Sequence, residues 1–431
     1  MNANLAPSLP HVVIIGGGFG GLAAARGLRN APVRVTLIDR RNHHLFQPLL
    51  YQVATAALSA PDIAAPIRQI LRRQKNCTVL LDEAVSVDTE TNTLQLSEST
   101  LNFDTLVVAA GATNHWFGKS DWAPNAPGLK SLEDALDIRR RVLSAYESAE
   151  KAGTEEARRQ WLTFVVIGAG PTGVEMAGAL SEIARTTLAR NFRNFNPLDA
   201  RVILVEGASR VLGAFPESLS ASALRQLQSI GVEVRLNTLV SSLDDSGVVL
   251  GEERIDARTI VWAAGVRAEP LVATVGATTD RMGRATVNEH CQVPAHPNIF
   301  VIGDAAHFEQ GGSPLPGVAP VAMQQGAHVA TYIRNQLANR PTRPFVYFDK
   351  GSMATIGRSR AVAMTGVGTL WPRTEPTFKF TGTLAWLAWL FVHVLVLVDF
   401  RNRAAVVAEW AWAWVTYQRS ARVILDHGPR R

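Results

Sequence analysis

The chain has 431 residues, 47% hydrophobic and 19% charged, with a net charge of +6; that is ordinary globular composition with material for two cores and appended structure. No arginine- or lysine-rich run is interleaved with aromatics, which argues against a nucleic-acid partner and leaves an anionic membrane surface as the acidic one. Only two cysteines occur, Cys77 and Cys291, so no CxxC or CxxxxC redox pair exists and each is read as a small buried residue.

The first ten residues carry neither a signal peptide nor an arginine-rich transit helix, so the body is expected in the cytoplasm. The apolar run His11 to Ile15 then delivers the chain to Gly16-Gly17-Gly18-Phe19-Gly20-Gly21, which opens an alanine-rich helix. Glycines there admit a pyrophosphate close to the backbone, and the helix start presents free N–H groups to it. A second strand, Val35 to Ile38, closes on Asp39, a carboxylate placed to accept from a ribose diol.

About 150 residues later the pattern recurs: Phe164 to Ile167, then Gly168-Ala169-Gly170-Pro171-Thr172-Gly173, then Val202 to Val205 closing on Glu206. Two dinucleotides are implied. Glu206 would repel the 2′-phosphate of NADPH, with Arg210 nearby as a weak counterweight. The distance from Gly173 to Glu206 exceeds the usual ~20 residues, and Thr186 to Ala200 is read as a helical extension plus loop.

Similar strands end at Ala110-Gly111 and at Ala264-Gly265, and a third, Asn298 to Ile302, ends at Gly303-Asp304. The expected fold is α/β, with two Rossmann-like dinucleotide-binding domains, the second inserted in the first. The units are 1–112 with 271–345, then 113–270, then a C-terminal membrane-association segment, 346–431.

That tail holds five of the ten tryptophans between Thr381 and Arg419. Leu384 to Val398 is apolar all round except for His393, but its 15 residues reach about 22 Å, short of a ~30 Å hydrocarbon core. A second helical stretch places Val406, Trp410, Ala413, Trp414 and Tyr417 on one face, with Glu409, Thr416 and Arg419 elsewhere. Attachment to a membrane surface is the leading reading, with burial or a homodimer interface as the alternative and a true span as the least favoured.

Over nearly its whole length the chain resembles the type II NADH:quinone oxidoreductases, single-subunit flavoproteins that do not pump protons. The resemblance is carried by residues 44–55 (HLFQPLLYQVAT), 63–68 (IAAPIR), 165–182 (VVIGAGPTGVEMAGALSE), Gly303-Asp304, 349–358 (DKGSMATIGR) and the Lys379-Phe380 stretch. It implies non-covalent FAD at Gly16, Gly18, Phe19, Gly20, Gly21, Asp39, Arg40, Gln47, Thr55, Ala110, Gly111, Gly303 and Asp304. NADH would take Gly168, Gly170, Pro171, Thr172, Gly173, Glu206, Ala264 and Gly265. It also implies a membrane quinone as acceptor, and a peripheral enzyme on the cytoplasmic face of the cell inner membrane. Glu175, Gln324 and Lys379 are the catalytic candidates. The family's AQxAxQ helix reads APVAMQ here, with Pro320 replacing the first glutamine, which moves the expected quinone contact to Gln324 beside Met323. A ferredoxin or rubredoxin reductase, or a slow flavin- and NADH-binding sensor, is the rival reading.

Overall fold

A computed structural model of the protein describes residues 9–189, 191–365, 378–397, 400–416 and 421–424. The strand His11–Ile15 is buried at all five positions, as a strand covered on both faces must be. It lies at the centre of a six-stranded sheet with the order Gln292–Val293, His296–Val301, Thr105–Val108, His11–Ile15, Arg34–Asp39, Cys77–Leu81. Every pairing is parallel except the one between Gln292–Val293 and His296–Val301.

The second sheet is wholly parallel, ordered Val232–Arg235, Arg201–Val205, Thr163–Ile167, Thr259–Trp262. Its strands all fall between Thr105–Val108 and His296–Val301, which are neighbours in the first sheet. The chain therefore leaves the first sheet, builds the second and returns, as the repeat of turns implied. Ala112–Asn114 and Val266–Ala268 pair antiparallel where it leaves and returns. The extra residues before Glu206 form a wide helical turn, Ile183–Thr187, and a loop with one short turn at Pro197–Asp199.

The tail begins as an antiparallel sheet of Ser352–Gly357, Arg360–Thr365 and Phe378–Thr381. It presses on the second-turn helix Pro171–Glu182 so closely that a Cβ at Gly178 would lie 1.9 Å from the Ile356 carbonyl oxygen, an approach only glycine permits. Two helices follow, Gly382–Val396 and Phe400–Thr416. No described helix is long and apolar enough to cross a membrane.

The face shared by Val406 and Trp410 departs from the expected lipid contact. Val406 is fully buried, and with Trp389 and Leu397 it joins the core cluster of Val53, Val174 and Leu180. The Trp410 indole donates to Gln52 at 2.7 Å, and Asn402 donates to the carbonyls of Pro61 and Ala64. Packing against the body removes these side chains from water, which is the same gain that a lipid interface would have offered them. What faces outward instead is Leu384, Leu387, Phe391 and Leu395, one stripe of the first tail helix, together with Trp412 and Trp414. Tyr417 and Arg419 lie outside the described residues.

Candidate functional site

At the first turn Gly16 has φ +97°, and a Cβ at Gly21 would fall 1.8 Å from the Gly16 carbonyl oxygen. Gly18 faces open space, which leaves room beside the start of the helix Phe19–Gly27. The Asp39 carboxylate first closes the turn: Oδ2 accepts from the Gly17 N–H at 2.6 Å and Oδ1 from Arg41 N–H at 2.7 Å. Each oxygen keeps a lone pair for a ligand hydroxyl. Arg40 bonds Glu269 at 2.7 Å, tying the end of Arg34–Asp39 to the chain just after the second sheet. Burial would lower its pKa, but Glu269 and then Glu83 raise it overall.

His44 is buried, and its Nδ1 donates to the Gly17 carbonyl at 3.0 Å. Burial pushes its pKa down to about 4, so the ring is neutral and Nε2 is an acceptor. That Nε2 is buried and unpaired. An orphan acceptor behind a roomy glycine turn suits a ligand that brings hydroxyl donors.

Gly111, φ +78° and open to space, follows the strand Thr105–Val108 beside His11–Ile15, and Gly303, φ +69°, follows His296–Val301, the next strand out. Asp304 is half-buried, its carboxylate 3.9 Å from Lys130 Nζ. Thr55 is buried and spends its hydroxyl on the Tyr51 carbonyl, whereas Gln47 is exposed.

The second turn repeats this plan. Gly168 has φ +101°, a Cβ at Gly173 would meet the Gly168 oxygen at 1.7 Å, and Gly170 faces open space. Glu206 Oε2 accepts from Ala169 N–H at 2.6 Å and Oε1 from Ala208 N–H at 2.8 Å. A Cβ at Gly168 would touch Ala264 Cα at 2.6 Å, so the strand end carrying Ala264 and Gly265 lies against this turn. Arg210 donates to the Gly213 carbonyl.

Glu175, Ala179 and Glu182 share one face of the second-turn helix and line a cavity of about 110 Å³. Its other walls include Tyr51, Gln52, Thr55, Arg358 and Trp386, Trp389, Trp410 and Trp414 of the tail. Burial pushes the Glu175 carboxyl up to about 8, against a backbone hydrogen bond from Thr355; it is protonated at neutral pH. Gln52 accepts from Trp410 and donates to the Tyr51 hydroxyl at 2.9 Å. Arg358 lies 5.3 Å over the Trp414 ring and bonds the Trp414 carbonyl.

Two catalytic candidates are not at this cavity. Gln324 donates to the Phe348 carbonyl and accepts from the Phe348 N–H, so its amide is spent holding residues 345–350. Its neighbour Gln325, 1% exposed, accepts from Gly303 N–H at 2.7 Å and so faces the first-turn site. Lys379 is exposed on the strand Phe378–Thr381, and the cation lining the cavity is Arg358. Arg358 ends the stretch 349–358, and Tyr51 and Gln52 lie inside 44–55, so both motifs held the missed residues without marking which side chains turn inward. Cys77 and Cys291 are both free, and no group able to hold a metal occurs among the described residues.

The description of the pyridine nucleotide-disulphide oxidoreductases matches residues 10–326. Type II NADH:quinone oxidoreductase NdhA of Mycobacterium tuberculosis is 44% identical over 96% of this chain and 89% of its own length. The Ndh protein of the same organism is 41% identical over 97% and 91%. A solved structure of NDH2 from Plasmodium falciparum in complex with NADH has the same fold, with a TM-score of 0.83 and 20% identity over 95% of this chain and 99% of that one.

Proposed function

The chain belongs to the pyridine nucleotide-disulphide oxidoreductases and within them to the type II NADH:quinone oxidoreductases, which pass electrons from NADH through a flavin to a quinone; from that premise we propose that FAD sits at the first turn, NADH at the second, and the quinone headgroup in the cavity of Glu175. When bound, the flavin would supply the redox chemistry, hydride acceptance from NADH and electron delivery to the quinone.

The chain's own residues then have distinct tasks. Asp39 and Glu206 hold their turns shut and offer lone pairs to the two adenosine riboses. The unpaired His44 acceptor and Gly303, positioned by Gln325, line the FAD seat with Phe19, Gly20, Asp304 and Ala110-Gly111. Protonated Glu175 holds a proton that a reduced quinone oxygen can take, and Arg358 in the same cavity stabilises negative charge there. The cavity carries this reading, because it puts an uncharged acid and a cation between the second-turn helix and an aromatic tail. The exposed apolar stripe seats the protein on the cytoplasmic face of the membrane without crossing it. The body divides as 1–112 with 271–345, and 113–270.

The test is stopped-flow reduction of the yellow protein by NADH followed by reoxidation with a quinone, with the released flavin identified chromatographically. Reoxidation faster with a small electron-transfer protein than with quinone would overturn the acceptor assignment.

A further inference from the structure

We infer that Phe117 is a positioning residue for NADH, an apolar wall over the nicotinamide end of the dinucleotide where it crosses the end of the strand Thr259–Trp262. The inference rests on the proposed seat of NADH at the second turn.

Phe117 has φ +50° and is followed by Gly118 at +84°. A left-handed backbone is unfavourable for a bulky L-residue, and such strain persists where the surroundings enforce it. Burial does not offset it here, because the residue is 64% exposed. The loop is nevertheless held firmly. His115 N–H donates to the Gly265 carbonyl at 3.1 Å, and the Trp262 indole donates to the His115 carbonyl at 3.0 Å. The Phe117 ring meets Trp262 edge-on at 6.1 Å and His115 at 5.2 Å. Its tip lies so near Gly265 that a Cβ there would come within 2.8 Å of it. An aromatic ring is thus fixed in an exposed, strained pose on top of a glycine.

Sheet order says which part of NADH passes beneath it. Thr163–Ile167 feeds the turn, with Arg201–Val205 on one side and Thr259–Trp262 on the other. Glu206 closes the first of these flanking strands, so an adenosine ribose bound by it lies on that side of the turn. A pyrophosphate at the turn then sends the rest of the dinucleotide to the opposite side, over Ala263, Ala264 and Gly265. That strand end already touches Gly168. The nicotinamide riboside therefore crosses under Phe117, where a flat ring edge offers contact area and excludes water.

The test uses the full-length flavoprotein, with NADH as substrate and ADP as competitor, since ADP keeps the adenosine and pyrophosphate but lacks the nicotinamide riboside. Phe117→Ala is expected to raise KM for NADH about tenfold, with kcat at saturating NADH within about twofold and Ki for ADP unchanged. Phe117→Tyr restores KM, and flavin content and Tm report that each variant is folded. Glu206→Ala weakens NADH and ADP together. If Glu206→Ala weakens both but Phe117→Ala leaves KM unchanged, or raises Ki for ADP equally, the wall is wrong and the seat stands. If Glu206→Ala affects neither ligand, the seat is wrong and the inference falls with it.

Discussion

Gly16 and Gly168 have φ of +97° and +101°, Gly21 and Gly173 leave 1.8 and 1.7 Å for a Cβ, and Asp39 and Glu206 each accept from the second residue of their turn at 2.6 Å. Their surroundings differ. Gly20 is buried against the helix Ala319–Leu337, where a Cβ at Gly326 would lie 2.3 Å from the Gly20 oxygen, and His44 backs the turn. Pro171 and Thr172 are exposed, as is Ala264 beside them. On the proposed assignment, the enclosed turn suits a resident cofactor and the open one a substrate that must enter and leave.

The largest expected effect breaks the turns one at a time. Gly21→Val and Gly173→Val each drive a side chain into a carbonyl oxygen that belongs to the turn itself and cannot retreat. Gly21→Val is expected to purify without flavin. Gly173→Val should stay yellow but lose flavin reduction by NADH at least about hundredfold, roughly 2.7 kcal/mol. Absorbance near 450 nm and anaerobic NADH titration read both. A colourless Gly173→Val or a yellow Gly21→Val would reverse the assignment of the turns.

Next in size is the outward stripe of the tail. Leu384, Leu387, Phe391 and Leu395 are 70, 50, 63 and 52% exposed, so replacing all four with Gln leaves the packed side of the helix intact. Each contributes on the order of 1 kcal/mol or more when it enters lipid, about a thousandfold together at the lower bound. The quadruple variant is expected in the supernatant of a membrane spin while the parent stays in the pellet at high salt. Flavin reduction by NADH should be unaffected. Extraction of the parent by salt alone would make the attachment electrostatic.

The contrast between body and tail also marks what was legible in the sequence. Both turns, their carboxylates and the insertion could be read, because glycine spacing, buried runs and a closing acid are local patterns. The role of Gln324 could not. Two adjacent glutamines on one helix point about 100° apart, and only the packing of residues 345–350 shows that Gln324 is used by Phe348 while Gln325 reaches Gly303. The tail's amphipathicity was visible, but not that Val406 and Trp410 turn to the body. An aromatic face suits a lipid interface and a core equally well, and Gln52, the partner of Trp410, lies 358 residues away.

Glu175 tests the quinone side. Its pKa rises from 4.5 to about 8 in the folded protein, so between those values the folded state binds a proton that the unfolded state releases. Stability therefore falls as pH rises through this window. Glu175→Gln should remove that slope and be the more stable protein above pH 8. In the parent, flavin reoxidation by quinone should decline as pH passes about 8, when the proton is lost. The Gln variant should be slower, on the order of tenfold to hundredfold, and flat with pH, with its reduction by NADH unchanged. A parent profile without that decline would place the proton donor elsewhere.

Nucleotide choice should respond less. Glu206→Gln keeps an acceptor for a turn N–H and removes the charge, so the preference for NADH over NADPH in kcat/KM should shrink by about tenfold, near 1.4 kcal/mol. An unchanged ratio would mean that the adenosine ribose lies away from Glu206.

The smallest effect belongs to the thiols. Burial pushes Cys77 up to about 11, partly opposed by a hydrogen bond from the Leu37 backbone, which leaves on the order of one thiolate in ten thousand at neutral pH. Cys291 is raised further by burial and is fully enclosed. Neither lines the cavity or touches a turn glycine. Cys77→Ser with Cys291→Ser should therefore keep its flavin and oxidise NADH with quinone within about twofold of the parent. Its Tm should fall by a few degrees, because the Cys291 site would then bury a hydroxyl without a designed partner. The family takes its name from disulphide chemistry, and this variant decides whether that chemistry survives here. A folded, yellow double variant that no longer oxidised NADH would require a thiol in the reaction and would sink the direct path from flavin to quinone.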